Sequence, residues 1–204
     1  MKYRAVIFDL WDTLVLWPVD EATGFYARMA DHLGIGHELF AEAWSSAYDQ
    51  RATGPIEPSV RSVCRTLEVD ESLAEGLIRV RVDYTREVLV PRPGAVNVLE
   101  ELRRRGQRLG LISVCSEEVP ILWEATPMAP LIDEAVFSCS VGVVKPERKI
   151  YEIAADRLGV TTGDCLFVDD RPEFVEGAVE AGMDAYVLGK PPVERLEDVL
   201  ELTQ

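Results

Sequence analysis

Polar residues stand where uninterrupted apolar runs stop. Asp9 follows AVIF, Ser113 closes RLGLIS, Lys145 comes a few residues after AVFSCS, and the pair Asp169–Asp170 follows CLFV. Three carboxylates sharing one mouth repel one another and resist joint ionisation. A hard cation resolves that conflict, and Mg²⁺ takes one or two carboxylates together with waters and phosphate oxygens. Lys145 and Ser113 then supply a cation and a hydroxyl to hold an anion beside the metal, and phosphate fits. An aspartate in such a place can serve as a covalent nucleophile and form an aspartyl-phosphate. Taken singly, each residue has an ordinary reading: a turn or N-cap Asp, a loop hydroxyl, a solvated lysine, an acidic pair opening the helix at PEFVEGA. Their joint placement is what points to a site.

That placement requires a particular scaffold. The apolar runs AVIFDL (5–10), RLGLIS (108–113), AVFSCS (135–140), CLFVDD (165–170) and DAYVLG (184–189) are continuous, which suits strands buried on both faces of a parallel sheet. Helix-period segments lie between them: GAVNVLEELRRRG stops at Gly106, ERKIYEIAADRLG at Gly159, and PEFVEGAVEAG at Gly182. The alternation predicts an α/β doubly wound parallel sheet, and in such sheets ligands bind beyond the carboxyl ends of the strands. Residues 16–90 break the pattern. EATGFYARMADHLG, ELFAEAWSSAYDQR, SVRSVCRTLE and ESLAEGLIRVRVDYTREVL all read as helices. The expected organisation is an α/β core of residues 1–15 and 91–204 with a small all-helical insert at 16–90, joined through LWPVD and PRPG.

The bulk properties narrow the function classes. The 204 residues with 48% apolar content suit one globular domain with a modest insert. No apolar run approaches the ~20 residues of a membrane span, and MKYRAVIF runs straight into the first strand. A cytoplasmic protein is therefore expected, without membrane partners. The four cysteines are scattered and form no C-x-x-C pair, so reduced core thiols are expected. Only His32 and His37 offer imidazoles, which disfavours zinc or Ser-His chemistry. The formal charge is −15 and RRRGQR is the one short basic run, so nucleic acid is not an expected partner. Trp17, Phe25, Tyr26, Trp44, Tyr48 and Trp123 offer aromatic pocket walls, although at helical spacing such residues more often build core. The sequence leaves the oligomeric state open.

FDLWDTLV (8–15), LIS (111–113), VKP (144–146) and FVDD (167–170), followed by EGAVEAGM, resemble the four motifs of the haloacid dehalogenase (HAD) superfamily of hydrolases. The resemblance covers the whole chain, and the insert resembles the superfamily's helical cap between motifs one and two. It implies Asp9 as nucleophile and metal ligand. It implies Ser113, Val114 and Lys145 around a bound phosphoryl group, and Mg²⁺ held by Asp9, the Trp11 carbonyl and Asp170, with Asp169 in the same shell. Thr13 would tighten the turn after motif one. Arg51 resembles a cap arginine that reaches substrate in some relatives, an exposed helix-end arginine being the other reading.

Two positions depart from the phosphatase pattern. That pattern has a second Asp two residues after the nucleophile, which protonates the leaving group and later activates water; here the position is Trp11. Val114 stands where an asparagine commonly follows the motif-two Ser. Three functions remain in view. The first is a Mg²⁺-dependent phosphatase of a small phosphorylated metabolite, with Asp12 as substitute acid or with a substrate whose leaving group needs little acid. The second is a 2-haloacid dehalogenase, whose relatives also place an aromatic residue at the Trp11 position. The third is a non-catalytic phosphate- or metal-binding protein on the same fold.

Overall fold

The computed structural model describes residues 2–18 and 22–203. Residues 19–21, which include the end of the LWPVD connector, lie outside the described residues. Five strands form one parallel sheet: β1 (Ala5–Phe8), β2 (Arg108–Ser113), β3 (Glu134–Phe137), β4 (Cys165–Asp169) and β5 (Asp184–Val187). Their order is β3-β2-β1-β4-β5. The chain winds outward from β1 through β2 to β3, then returns to the other side of β1 with β4. The switch point therefore lies between β1 and β4, where an open parallel sheet leaves a crevice.

Alternation on β1 explains why its apolar run has no polar gap. Val6 and Phe8 pack into the cluster formed with α6 (Ala95–Arg104) and α7 (Glu118–Trp123). Ala5 and Ile7 pack on the opposite face with α9 (Arg148–Arg157) and α10 (Pro172–Glu180). All four are completely buried, and each large one contributes about 1.5–3 kcal/mol on removal from water. The AVFSCS run departs from expectation. Its last three residues leave the sheet and begin the short helix α8 (Ser138–Val141), which Gly142 closes at φ 73°.

Residues 22–88 contain α1 (Ala22–Leu33), α2 (His37–Ser46), α3 (Tyr48–Ala52), α4 (Ile56–Thr66) and α5 (Ala74–Val88). No strand occurs among the described residues of 16–90. The segment ELFAEAWSSAYDQR is two helices, because the chain breaks at Ala47, φ −97° and ψ 14°. These helices bury their apolar stripes against one another, around Phe25, Met29, Phe40, Trp44, Val60, Leu77 and other residues. No helix among the described residues is long and apolar enough to cross a membrane. α11 (Val199–Leu202) closes the chain against α6.

One close approach links the helical layer of the core to the site. A Cβ on Gly177 of α10 would lie 2.6 Å from Pro146 Cβ and 2.7 Å from the Pro146 carbonyl oxygen. The backbone of the turn that carries Lys145 thus rests directly on α10. Gly177→Ala should destabilise the fold by about 1–3 kcal/mol in chemical denaturation, since the obstructing atoms belong to a proline and its backbone. Unchanged stability would mean that the Lys145 turn is free to move.

Candidate functional site

The sheet brings the predicted acidic residues together at the switch point. Phe8 pairs with Val168, so Asp9 and Asp169 emerge side by side from β1 and β4. The Asp9 main-chain N–H donates to the Val168 carbonyl at 2.9 Å. Lys145 reaches in from the loop after α8, and its Nζ donates to Asp9 Oδ1 and to Asp169 Oδ2, both at 2.5 Å. The lysine is 3% exposed, Asp9 5% and Asp169 not at all. The second Asp169 oxygen accepts the Arg171 main-chain N–H at 2.9 Å. Asp170, the next residue, is half-buried at the rim.

The charges do not balance. Burial raises the Asp9 pKa and the neighbouring Asp169 raises it further, against the opposing pull of Lys145. Burial likewise pushes Asp170 up to about 6, helped by Asp169 and Asp12. Burial also works against the Lys145 charge, yet the two carboxylates hold its pKa above the usual lysine value. One ammonium thus faces three carboxylates, each offering an oxygen within 4.8 Å of the others. That excess of negative charge, carried on hard oxygen donors, suits a divalent cation of the Mg²⁺ type.

Ser113 lies at the end of β2, fully buried, and among the described residues the Cys115 thiol beside it is the polar group its hydroxyl approaches, without forming a well-aligned hydrogen bond. Val114 lies farther out. A cavity of about 160 Å³ opens above the acidic group, and Asp9, Trp11, Asp12, Tyr48, Val114 and Asp170 contribute to its wall. Neither Ser113 nor Lys145 contributes to that wall, since the ammonium is turned inward onto the two carboxylates.

The loop after Asp9 revises two expectations. The turn is closed by main-chain bonds from Leu14 and Val15 N–H to the Leu10 carbonyl, at 2.9 and 2.8 Å. Thr13 does not tighten it through its side chain, because its buried hydroxyl has no partner among the described residues. Instead the Arg92 guanidinium donates to the Asp12 and Thr13 carbonyls at 3.3 and 3.2 Å. Asp12 sits at φ 58° in the left-handed region, and its Oδ1 accepts the Trp17 main-chain N–H at 3.0 Å. The geometry therefore favours a structural role for Asp12 over a substitute acid, because that oxygen already holds the chain leaving the loop, five residues on.

Trp11 packs against both the sheet cluster and the helical cluster, and meets Trp17 edge-on at 4.9 Å between ring centres. It also lines both the acidic cavity and a second one of about 290 Å³. The two cavities share Trp11, Tyr48 and Val114. Trp17, Phe25, Tyr26, Trp44 and Tyr48 all line the larger chamber, whereas Trp123 is core and packs on Phe137. Arg51 lines the chamber too. It is 7% exposed, which removes the exposed helix-end reading. Its guanidinium donates to the Trp44 carbonyl at 2.6 Å and lies 4.4 Å from the Trp44 ring centre. Burial, and then the Arg81 charge, lowers its pKa to about 10.

Sequence reasoning missed the contact that ties the helices to the core here. Arg81 of α5 donates through Nε to Glu118 of α7 at 2.7 Å, and Ser116 Oγ donates to the same oxygen at 2.7 Å. Beside it, the Ile56 main-chain N–H donates to Glu117 at 3.1 Å. A signal was present in SEE at 116–118, polar residues directly beyond the carboxyl end of β2.

Removing the ammonium tests the ion cluster. Lys145→Met should leave Asp9 and Asp169 buried without a counter-charge and cost about 3–5 kcal/mol in denaturant unfolding. A loss below about 1 kcal/mol, the range of exposed pairs, would mean that the three groups are not buried together in solution.

Comparison with known proteins agrees with this arrangement. A family model described as haloacid dehalogenase-like hydrolase matches residues 3–182. Phosphatase MT3486 of Mycobacterium tuberculosis is 36% identical over 140 residues, 68% of this chain, and the match spans 63% of that protein's length. Glyceraldehyde 3-phosphate phosphatase of Methanopyrus kandleri is 36% identical over 193 residues, covering 88% of this chain and 81% of the relative. The structure of a 2-haloacid dehalogenase from Pseudomonas syringae superposes with a TM-score of 0.78 over 98% of both chains at 23% identity, a likeness of fold. With the motif residues assembled at the switch point of the expected sheet and the family matched along most of its length, the chain belongs to the haloacid dehalogenase-like hydrolases.

Proposed function

We propose that this hydrolase is a Mg²⁺-dependent phosphatase of a small phosphorylated molecule, with Asp9 as nucleophile and residues 16–90 acting as its cap. The observation that carries the reading is the clustering of Asp9, Asp169 and Asp170 around a single lysine, a donor set rich in negative oxygen. The phosphatases among the relatives support it. Asp9, Asp170 and the Trp11 main-chain carbonyl would hold Mg²⁺, with Asp169 alongside. Bound there, the ion would neutralise charge on the phosphoryl oxygens. Lys145 fixes the Asp9 carboxylate in place. The main chain at Val114, which lines the cavity, and the buried Ser113 hydroxyl behind it would offer donors to a phosphoryl oxygen that enters the site. Arg51 faces the substrate body from the helical side.

Trp11 separates the two halves of the reaction. Attack by Asp9 on phosphorus needs in-line placement and charge neutralisation, which do not involve the indole of Trp11. Breakdown of the aspartyl-phosphate benefits from a base that activates water, and an indole cannot be one. A missing acid–base group costs typically ~10²–10⁴-fold in rate. The second reading, a 2-haloacid dehalogenase, is favoured by Trp11 itself, because an aromatic residue stands there in such relatives. It ranks below the first because dehalogenases need no metal, and an acidic pair follows β4 here.

Acetyl phosphate should give a stoichiometric burst followed by slow turnover, and Trp11→Asp should accelerate the slow phase. Mass spectrometry should find phosphorylated Asp9 in the wild-type chain. If no donor phosphorylates Asp9 and halide is released from 2-chloropropionate without metal, the dehalogenase reading replaces this one. Separately, Asp170→Ala should abolish Mg²⁺ binding in calorimetry, and unchanged affinity would misplace the metal.

A further inference from the structure

Two features of the chain meet at Trp11. It occupies the position of the leaving-group acid, and it lines both the acidic mouth and the adjoining chamber of about 290 Å³. The chamber beyond it is walled by Trp17, Tyr26, Trp44 and Tyr48, with Arg51 beneath the last two rings at 4.4 and 5.3 Å from their centres. An apolar cavity of ~150 Å³ holds a benzene ring, so this one has room for one or two fused rings. Aromatic walls favour a planar guest through offset and edge-to-face contacts. Arg51 and Arg81 both line the chamber, and Glu118 beside them pairs with Arg81, so the walls carry guanidinium charge as well as aromatic rings. The chemistry of the mouth asks for the same guest. Without an acid, the departing oxygen must leave as an anion. A phenol ionises near ~10, as tyrosine does, whereas an alkanol is closer to water's ~15.7.

We propose that the substrate is an aryl phosphate, a monoester of a phenol, whose ring occupies the aromatic chamber. The proposal rests on the phosphatase reading and names its substrate class. An Asp9 oxygen forms a bond to phosphorus as the bond from phosphorus to the phenolic oxygen breaks. The bonding pair leaves on that oxygen as an aryloxide, which takes its proton from water. A water oxygen then attacks the phosphorus of the aspartyl-phosphate, releasing phosphate and the Asp9 carboxylate and giving one proton to solvent. Trp11 and its neighbours bind the ring while it is a substituent and while it departs.

The test uses the full chain with Mg²⁺ and three donors: 2-naphthyl phosphate, cyclohexylmethyl phosphate and acetyl phosphate. The first two match in bulk but differ in leaving group and planarity; the third has a good leaving group and no ring. The kcat/KM for naphthyl phosphate should exceed that for cyclohexylmethyl phosphate by at least ~10²-fold, the scale of an acid's contribution. Naphthol should appear in a burst equal to the enzyme. Trp17→Leu and Tyr26→Ala, both at half-buried positions, should each lower the ratio of naphthyl to acetyl phosphate kcat/KM about tenfold. Product inhibition of the wild-type chain, which depends on no variant, should be tighter with 2-naphthol than with cyclohexylmethanol. If acetyl phosphate is turned over while the naphthyl and cyclohexylmethyl esters react alike, the phosphatase reading stands and the aryl assignment falls. If acetyl phosphate also fails to phosphorylate Asp9, the phosphatase reading falls and the assignment goes with it.

Discussion

A lysine ammonium buried between two aspartates is the constraint on which the rest of this structure depends. Each of those charges would cost several kcal/mol to bury alone, and their attraction offsets the penalty only when the geometry is good. Three separate chain segments must therefore arrive together: the end of β1, the end of β4 and the loop after α8. The parallel pairing of β1 with β4 sets the two carboxylates side by side, and α10 sets the height of the Lys145 turn through its contact at Gly177. The triad leaves an uncompensated carboxylate at the rim, Asp170, whose pKa is raised for the same reason. Structure and function here draw on one electrostatic arrangement.

The helices of residues 22–88 meet that arrangement through a small number of buried polar contacts. Arg81 and Glu118 form an ion pair in which the carboxylate is inaccessible and the guanidinium nearly so. The other Glu118 oxygen is buried without a partner among the described residues, so this pair is not a fully satisfied one. It lies directly beyond Ser113, on the stretch that leaves β2. Trp11 makes the apolar half of the same junction, packing on both clusters. A residue placed where an acid would serve catalysis here serves packing between two layers, and it shapes the cavity that opens beside Asp9.

The relatives show why the fold alone does not choose a reaction. A dehalogenase structure shares the architecture at 23% identity, while phosphatases match at 36%. The same sheet can carry attack by an aspartate on carbon or on phosphorus. The distinguishing features are local: the acidic pair after β4, whose oxygens suit a cation, and the residue two positions beyond Asp9.

The sequence by itself determined the sheet, because strands buried on both faces must be continuously apolar, and AVIF, RLGLIS and CLFV are. It also singled out Asp9, Ser113, Asp169 and Asp170, because a polar residue closing such a run emerges at the edge where ligands bind, and Lys145 by its place a few residues after another run. It did not reveal that Lys145 turns inward to bridge two carboxylates, since loop position says nothing about where a long flexible side chain ends. Nor could it show how Asp12 is held, in a left-handed backbone conformation with one carboxylate oxygen accepting the Trp17 main-chain N–H. The burial of Arg51, the Arg81–Glu118 pair and the chamber between the layers belong to tertiary structure alone. They join residues 30 or more positions apart, or depend on how two helical faces meet, and no local periodicity encodes such a meeting.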